Sequence, residues 1–311
     1  MAGPHVQPTG MVAGPLSAGP PLWLLAILRE RSSIPLESLP RDIDIVELCS
    51  GQGELHKAFE RKGFQAYGID CDKDPGQDLL QISGLVAAVH LVFRIKPGGV
   101  LWAAPPCASW VWISTSWHQR SAEQPWGDLR KEKVRAANSL ACIIGACIRL
   151  AVGCGVQVFL EHPESSIYHC APPIKKALLM AQCQEVVTHL GAFGATISKP
   201  LRIWSNCRLL RTLRRNLSQQ QRRQNRNRAR PYYQVGCFGA VTGRPALSAT
   251  AYYPRAFGDA VAASYIRSLP QIQAELAQVA SEAGAVTPSW LGLNDPDPDD
   301  RSAYEHLRLS A

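Results

Sequence analysis

Between Ile43 and Asp70 the hydrophobic pattern of the chain changes period twice. Ile43-Asp44-Ile45-Val46-Glu47-Leu48 is a short, mostly apolar run of the kind a buried strand needs. Cys49-Ser50-Gly51-Gln52-Gly53-Glu54 breaks it with two glycines, and Leu55, Ala58 and Phe59 then recur at helical spacing as far as Gly63. Gln65–Ile69 is a second strand, closed by Asp70. Strand, glycine turn, helix and strand make a βαβ unit. A crossover helix of this kind returns the chain in the same direction, so the two strands lie parallel. Parallel sheets are covered by helices on both faces. The expected fold class is therefore α/β, a Rossmann-like, mostly parallel sheet with helices on both faces.

The following segments extend the alternation. Ile82–Phe93 has helical spacing, Gly98-Gly99 reads as a turn, and Val100-Leu101-Trp102-Ala103-Ala104 is a buried strand that Pro105-Pro106 stops. Proline fixes its own φ and supplies no N–H, so Cys107 is expected in a stiff loop at the strand's carboxyl end. Ser109–Gly127 carries Trp110, Trp112, Trp117 and Trp126 without a period and reads as a long loop, either closing over a substrate or covering the core. Lys131–Val152 is a helix with Val134, Ala137, Leu140, Ala141, Ile144 and Cys147 along one stripe. Val156–Leu160 is a buried strand, followed at once by Glu161-His162-Pro163. Lys175–Cys183 is expected as a helix, Glu185–Leu190 and Ile203–Ser205 as strands, and Phe257–Ser268 and Ile272–Ala283 as two further helices.

Composition divides the chain. Residues 1–41, rich in Gly, Pro and Ala at their start, read as a disordered arm with a short helix at Trp23–Arg31 and a linker. Residues 42–204 form the catalytic core, 205–249 a short Arg-rich insert, 250–285 C-terminal helices that complete the core, and 286–311 an acidic tail. Nine arginines and no acid lie between Arg208 and Arg230; without them the net charge of +8 falls to 24 basic against 25 acidic residues. The positive field belongs to one segment and points to a polyanion, with Arg222, Arg223, Arg226 and Arg228 as the nucleic-acid contacts.

The ten cysteines are scattered, with no Cys-x-x-Cys pair. They read as reduced thiols of an intracellular protein, nuclear if the source is eukaryotic. The nearest approach to a metal cluster, His162, His169 and Cys170, fits no zinc spacing, so no metal is expected. No apolar run reaches the ~18 residues of a membrane span, so no membrane partner is expected.

Open α/β sheets bind ligands beyond the carboxyl ends of their strands. Ser50, Gly51 and Gly53 lie at one such end, where glycines let the backbone approach a ligand. Asp70 is placed to hold ribose hydroxyls, and Asp78, after a Pro-Gly turn, to reach the same pocket. The third glycine of the dinucleotide fingerprint is missing, since Gly53 is followed by Glu54. A ligand with an adenosine and no pyrophosphate fits better, and S-adenosylmethionine is the obvious one. Cys107 is a candidate nucleophile at a second strand end and Glu161 a candidate proton donor at a third.

Four of these stretches, taken in order, resemble the cytosine-5 methyltransferase family. Glu47-Leu48-Cys49-Ser50-Gly51-Gln52-Gly53 is similar to its first cofactor motif, Pro105-Pro106-Cys107 to its catalytic Pro-Cys motif, and Glu161 to the glutamate of its Glu-Asn-Val motif. Phe257-Gly258-Asp259-Ala260-Val261 resembles the closing Gly-Asn-Ala-Val motif. The resemblance implies that Cys107 attacks carbon 6 of a cytosine and that Glu161 protonates ring nitrogen 3, with methyl transfer to carbon 5. It implies S-adenosylmethionine held by Asp70 and Asp78, with Pro105, Asp259 and Val261 completing the pocket. It implies a nucleic-acid substrate, DNA first and RNA as the alternative, with the target base flipped out of its stack. His162 and Asp259 stand where the family has asparagines. Two other classes remain open. An amino-methyltransferase would want a polar residue before the prolines, where this chain has Ala104. A catalytically silent nucleic-acid-binding module would leave Cys107 and Glu161 structural.

Overall fold

Six strands form one sheet that is mostly parallel. The computed structural model describes Leu24, Ile27 and residues 36–229, 233–235, 241–243 and 252–283. The expected arm over residues 1–21 and the acidic tail over 286–311 lie outside the described residues, as does most of 230–251. β1 (Ile43–Leu48) lies between β2 (Ala66–Ile69) and β3 (Ile95–Ala103), parallel to both, and β4 (Gln157–Pro163) runs parallel to β3. β5 (Gln184–His189) and β6 (Pro200–Ser205) follow, but β6 inserts antiparallel between β4 and β5. The fold is thus the mostly parallel, Rossmann-like α/β sheet the sequence predicts, with one antiparallel strand.

The chain leaves β1 for β2 on one side and returns to β3 on the other. The carboxyl ends of β1 and β3 therefore flank the switch point of the sheet, where a crevice opens. The loops 49–53 and 104–107 both start there.

Side chains alternate across the sheet with period two. Leu101, Ala103, Val158 and Leu160 face a core shared with α2 (Ile82–Arg94), α4 (Glu132–Gly153) and α5 (Pro172–Met180). Val100, Trp102, Phe159 and Ile203 face the other core, where α1 (Glu54–Glu60) and α7 (Arg255–Ala283) pack together. The close contact depends on Gly258, where a Cβ would sit 2.6 Å from the Glu54 carbonyl. A short helix α3 (Thr115–His118), an Arg-rich helix α6 (Gln219–Ala229) and a hairpin β7 (Tyr233–Val235) and β8 (Val241–Gly243) complete the described elements.

Several expectations are corrected. Gly98-Gly99 is no turn but lies within β3, where Gly98 at φ 77° kinks the strand and the register against β1 slips between Ile43 and Ile45. The Gly98 N–H donates to the Gly155 carbonyl at 2.7 Å, so the kink is a bulge tied down by a neighbour. β4 runs through Glu161 and His162 to Pro163 instead of ending at Leu160, because β6 pairs with it over that length. Arg255–Ala283 is one helix, not two, and carries Pro270 in its interior. The Trp-rich stretch contains a 3-10 turn at Trp112–Ser114 and α3, with Trp110 buried. Finally, α4 is long and apolar enough to cross a membrane, although no such run was expected; 72% of its apolar window is buried inside the protein, as suits a helix lying across a sheet.

Candidate functional site

Three strand ends and one returning segment enclose a cleft of about 550 Å³, measured out to open solvent. Its walls are Cys49–Glu54 after β1, Ala104–Cys107 after β3, Glu161 and Pro163 from β4, Lys199 before β6, and Tyr252-Tyr253 ahead of α7.

The β1 loop is tightly coiled. Cys49, Gly51 and Gly53 all have left-handed φ, at 57°, 51° and 72°. Gly53 is the N-cap of α1, and a Cβ there would lie 2.0 Å from the His56 ring. At Gly51 an added Cβ would touch the Tyr252 ring at 3.6 Å, so that tyrosine covers the loop backbone. Asp70 Oδ2 accepts from the Gly51 N–H at 2.6 Å, and Oδ1 from the Asp72 N–H at 2.9 Å. Beneath the loop, fully buried Glu47 takes the His56 N–H at 3.1 Å and pairs with His56 Nδ1 at 2.7 Å through one oxygen.

The opposite wall carries the reactive side chains. The strand pairing persists to the prolines, since the Ala104 N–H donates to the Leu48 carbonyl at 3.2 Å. Pro105 is buried, Pro106 is exposed and Cys107 is half-buried. Arg120 clamps the chain that follows. Its buried guanidinium donates to Ser109 Oγ at 3.0 and 2.8 Å, to the Pro125 carbonyl at 2.5 Å, to Asn138 Oδ1 at 2.8 Å and to the Val134 carbonyl at 3.2 Å. It also lies 3.7 Å over the Trp110 ring. Burial holds this guanidinium down at about 10.

Glu161 is buried, and the Tyr253 hydroxyl donates to its Oε2 at 2.5 Å. Trp102 Nε1–H in turn donates to the Tyr253 oxygen at 3.3 Å. Glu161 Oε1 has no hydrogen-bond partner among the described residues. Burial raises the Glu161 carboxyl above the ordinary carboxylate range, against the opposing pull of Lys199 and of the Tyr253 hydrogen bond. Burial also raises the Cys107 thiol; Lys199 lowers it and Glu161 raises it again. Lys199 thus acts on both groups in the direction of their charged forms.

His162, the next residue, points to the opposite face of β4. It is buried and stacked on Tyr168, ring centroids 4.4 Å apart and planes 4° from parallel, and burial pushes it down to about 3. It is a neutral core side chain. His169 packs against Trp204, ring centroids 5.1 Å apart and planes tilted by 32°.

The cleft gathers Ser50, Gly51, Gly53, Pro105, Cys107 and Glu161, and it leaves out Asp70, Asp78, Asp259 and Val261. Asp70 organises the loop from behind. Asp78 accepts from the Leu80 N–H at 3.0 Å within the turn before α2. Asp259 is bound by Arg61 at 2.8 Å, with Arg255 at 3.7 Å, and Val261 is buried in the core. The Phe-Gly-Asp-Ala-Val stretch therefore docks α7 on α1, and the residues from this end that reach the cleft are Tyr252 and Tyr253. Sequence reasoning missed those two, Lys199 and Arg120. A Tyr-Tyr-Pro before a helix and a lone arginine in a loop have no diagnostic spacing. Arg222 and Arg223 are exposed on α6; Arg226 and Arg228 belong to the same helix, and their side chains lie outside the described residues.

No protein-family model matches the chain, and no curated protein matches it. Among solved structures it matches the Dnmt2 methyltransferase of S. pombe, with 14% identity and a TM-score of 0.32 over 56% of this chain and 55% of that one. The chain thus spans about half the length of that neighbour, and a likeness of this size assigns neither reaction nor substrate.

Proposed function

We propose that the protein transfers a methyl group from S-adenosylmethionine to carbon 5 of cytosine in a nucleic acid, DNA being the first choice, through a covalent adduct on Cys107. One observation carries the reading: a thiol, a buried carboxyl and a glycine-built loop line one cleft at the switch point of the sheet. A phosphate-free adenosine ligand suits the loop, because the left-handed glycines expose backbone to the cleft and Tyr252 roofs it. Ser50, Gly51 and Gly53 would hold that ligand with Pro105, and Asp70 would act through its bond to Gly51. When bound, S-adenosylmethionine supplies an electrophilic methyl group.

The chain's own residues supply the rest. Cys107 loses its proton and bonds carbon 6, a step that the Lys199 ammonium favours by stabilising the thiolate. Burial favours the protonated form of Glu161, which gives its proton to ring nitrogen 3, so that carbon 6 is open to attack and electron density reaches carbon 5. Once carbon 5 is methylated, its proton leaves to water, the bond between carbon 6 and sulfur breaks to release the Cys107 thiolate, and ring nitrogen 3 returns its proton to Glu161, which restores the ring. Tyr253 occupies one Glu161 oxygen and leaves Oε1 for the substrate.

The test is transfer from labelled S-adenosylmethionine to DNA and RNA side by side, together with trapping on a 5-fluorocytosine oligonucleotide. The expected result is that Cys107→Ala abolishes transfer and trapping while cofactor binding stays within about twofold. Trapping that survives in Cys107→Ala refutes the nucleophile, and folded protein that does not bind S-adenosylmethionine refutes the reaction.

A further inference from the structure

The segment that leaves Cys107 holds two indoles in solvent. Trp112 is 57% and Trp117 47% exposed, whereas Trp110, just before them, is only 2% exposed. Leu129 adds a third large apolar side chain, 45% exposed, on the approach to α4. The three lie within one short stretch of chain, and exposed apolar groups concentrated in one segment mark an interaction site more often than singly scattered ones do.

This stretch is not a loose tip. Arg120 ties its two ends to Ser109 and to α4, Val111 bridges to Ser166, and the Ile167 N–H donates to the Trp110 carbonyl at 3.0 Å. The Asp128 N–H closes the far side on the His118 carbonyl at 2.9 Å. Strand β8 lies against the Trp112–Ser114 turn, yet both indoles keep about half of their surface in solvent, free to meet a ligand.

The neighbouring charges indicate what that is. The Lys131 ammonium lies 4.4 Å over the Trp117 ring and donates to the Trp117 carbonyl. Arg130 and Lys133 are exposed beside it, and Arg135 follows one turn on. Asp128 and Glu132 oppose them in the same stretch, with Glu123 earlier in the segment, and Asp128 is already bound by Arg130 at 2.8 Å. Aromatic faces interleaved with surplus cations suit a strand of phosphates carrying flat bases, and only unpaired bases offer a free face.

We propose that Trp112 and Trp117 form a stacking platform for unpaired bases of a nucleic-acid strand, with the basic start of α4 on its phosphates. The proposal rests on the reading of the cleft as a site that works on a base, and it adds a contact separate from the arginines of α6. Each stacked base is worth about fivefold to more than a hundredfold in affinity.

The test is equilibrium binding of the full chain to a labelled oligo-dT, an oligo-rU and an abasic oligonucleotide of equal length and charge. The wild type should prefer the base-bearing strands by at least about fivefold. The Trp112→Ala/Trp117→Ala variant should lose that preference while its abasic affinity and salt dependence stay unchanged. Trp112→Phe/Trp117→Phe, which keeps aromatic faces, should recover it. Equal wild-type affinity for dT and abasic strands overturns the platform, as does a preference that survives double alanine substitution. Base preference in a protein that transfers no methyl group supports the platform and counts against the reaction alone. The dT and rU arms identify which backbone is taken.

Discussion

Replacing Tyr253 with phenylalanine removes one oxygen and exposes the electrostatics of the cleft. Tyr253 O–H donates to Glu161 Oε2 at 2.5 Å, and Trp102 Nε1–H donates to the same tyrosine oxygen at 3.3 Å. Glu161 Oε1 already lacks a partner among the described residues, so the substitution strips the carboxyl of its remaining donor and leaves the indole N–H unpaired. A hydrogen bond to an ionised group is worth ~1.5–3 kcal/mol and one to a neutral group about 1 kcal/mol. The loss therefore depends on whether Glu161 is charged. Its folded pKa lies above its unfolded value, so the native state binds the extra proton, and the carboxyl weighs on stability as pH rises. The tyrosine bond opposes that upward shift, and burial keeps the phenol itself protonated far above neutral pH. Tyr253→Phe should then cost about 1 kcal/mol where Glu161 is protonated and ~1.5–3 kcal/mol once it has ionised, so the deficit grows as pH rises. Urea unfolding at several pH values reads both numbers. In a Glu161→Gln background the cost should no longer vary with pH. A deficit equal at all pH values, or largest in acid, would refute the coupling.

Three other expectations follow from local geometry. His162 has its folded pKa lowered to about 3 against an ordinary 6.5, so the unfolded state takes up the proton first and stability falls as pH drops from about 6.5 towards 3. The full loss is of order 5 kcal/mol at ~1.4 kcal/mol per pKa unit, and His162→Phe, which can keep the stack on Tyr168, should flatten that acid limb in urea titrations. Gly53→Ala combines a left-handed backbone with a Cβ 2.0 Å from His56, whereas Gly63→Ala has nothing within 4 Å. Thermal or urea unfolding should show ~1–2 kcal/mol lost at Gly63 and distinctly more at Gly53, with S-adenosylmethionine binding impaired at Gly53 alone. Neutralising Arg222, Arg223, Arg226 and Arg228 together should weaken nucleic-acid binding and flatten its salt dependence; an unchanged slope would place the phosphate contact elsewhere.

The sheet was legible because period-two runs, glycine turns and helical stripes depend on nearest neighbours. So were the ends of β1 and β3, since Gly51-Gln52-Gly53 and Pro105-Pro106 are strong local punctuation. What was not legible depends on register and approach. That β6 would slip between β4 and β5 and prolong β4 past Glu161 is a pairing decided more than 40 residues away. Side-chain alternation along β4 sends Glu161 to the cleft and His162 to the core, but it says nothing of the Tyr253 hydroxyl, which arrives from 92 residues downstream. Asp70 and Asp259 look alike as acids at strand or helix ends. In the fold one ties its loop together and the other meets Arg61 on the surface.

The packing of α7 on α1 has a consequence for the order in which the site comes into being. A chain emerging from its N-terminal side presents β1, its loop and α1 early, then Cys107, then Glu161, each on a strand that can pair as it appears. The surface of α1 waits for Gly258, and the Glu161 carboxyl waits for Tyr253. Until that late stretch docks, the loop has no roof, the carboxyl no donor, and the second core lacks Phe257, Val261, Ala262, Tyr265 and Ile272. The cleft is therefore completed in a single late event. A nascent or clipped chain lacking residues 252–283 would carry its thiol and carboxyl without the enclosure that tunes them.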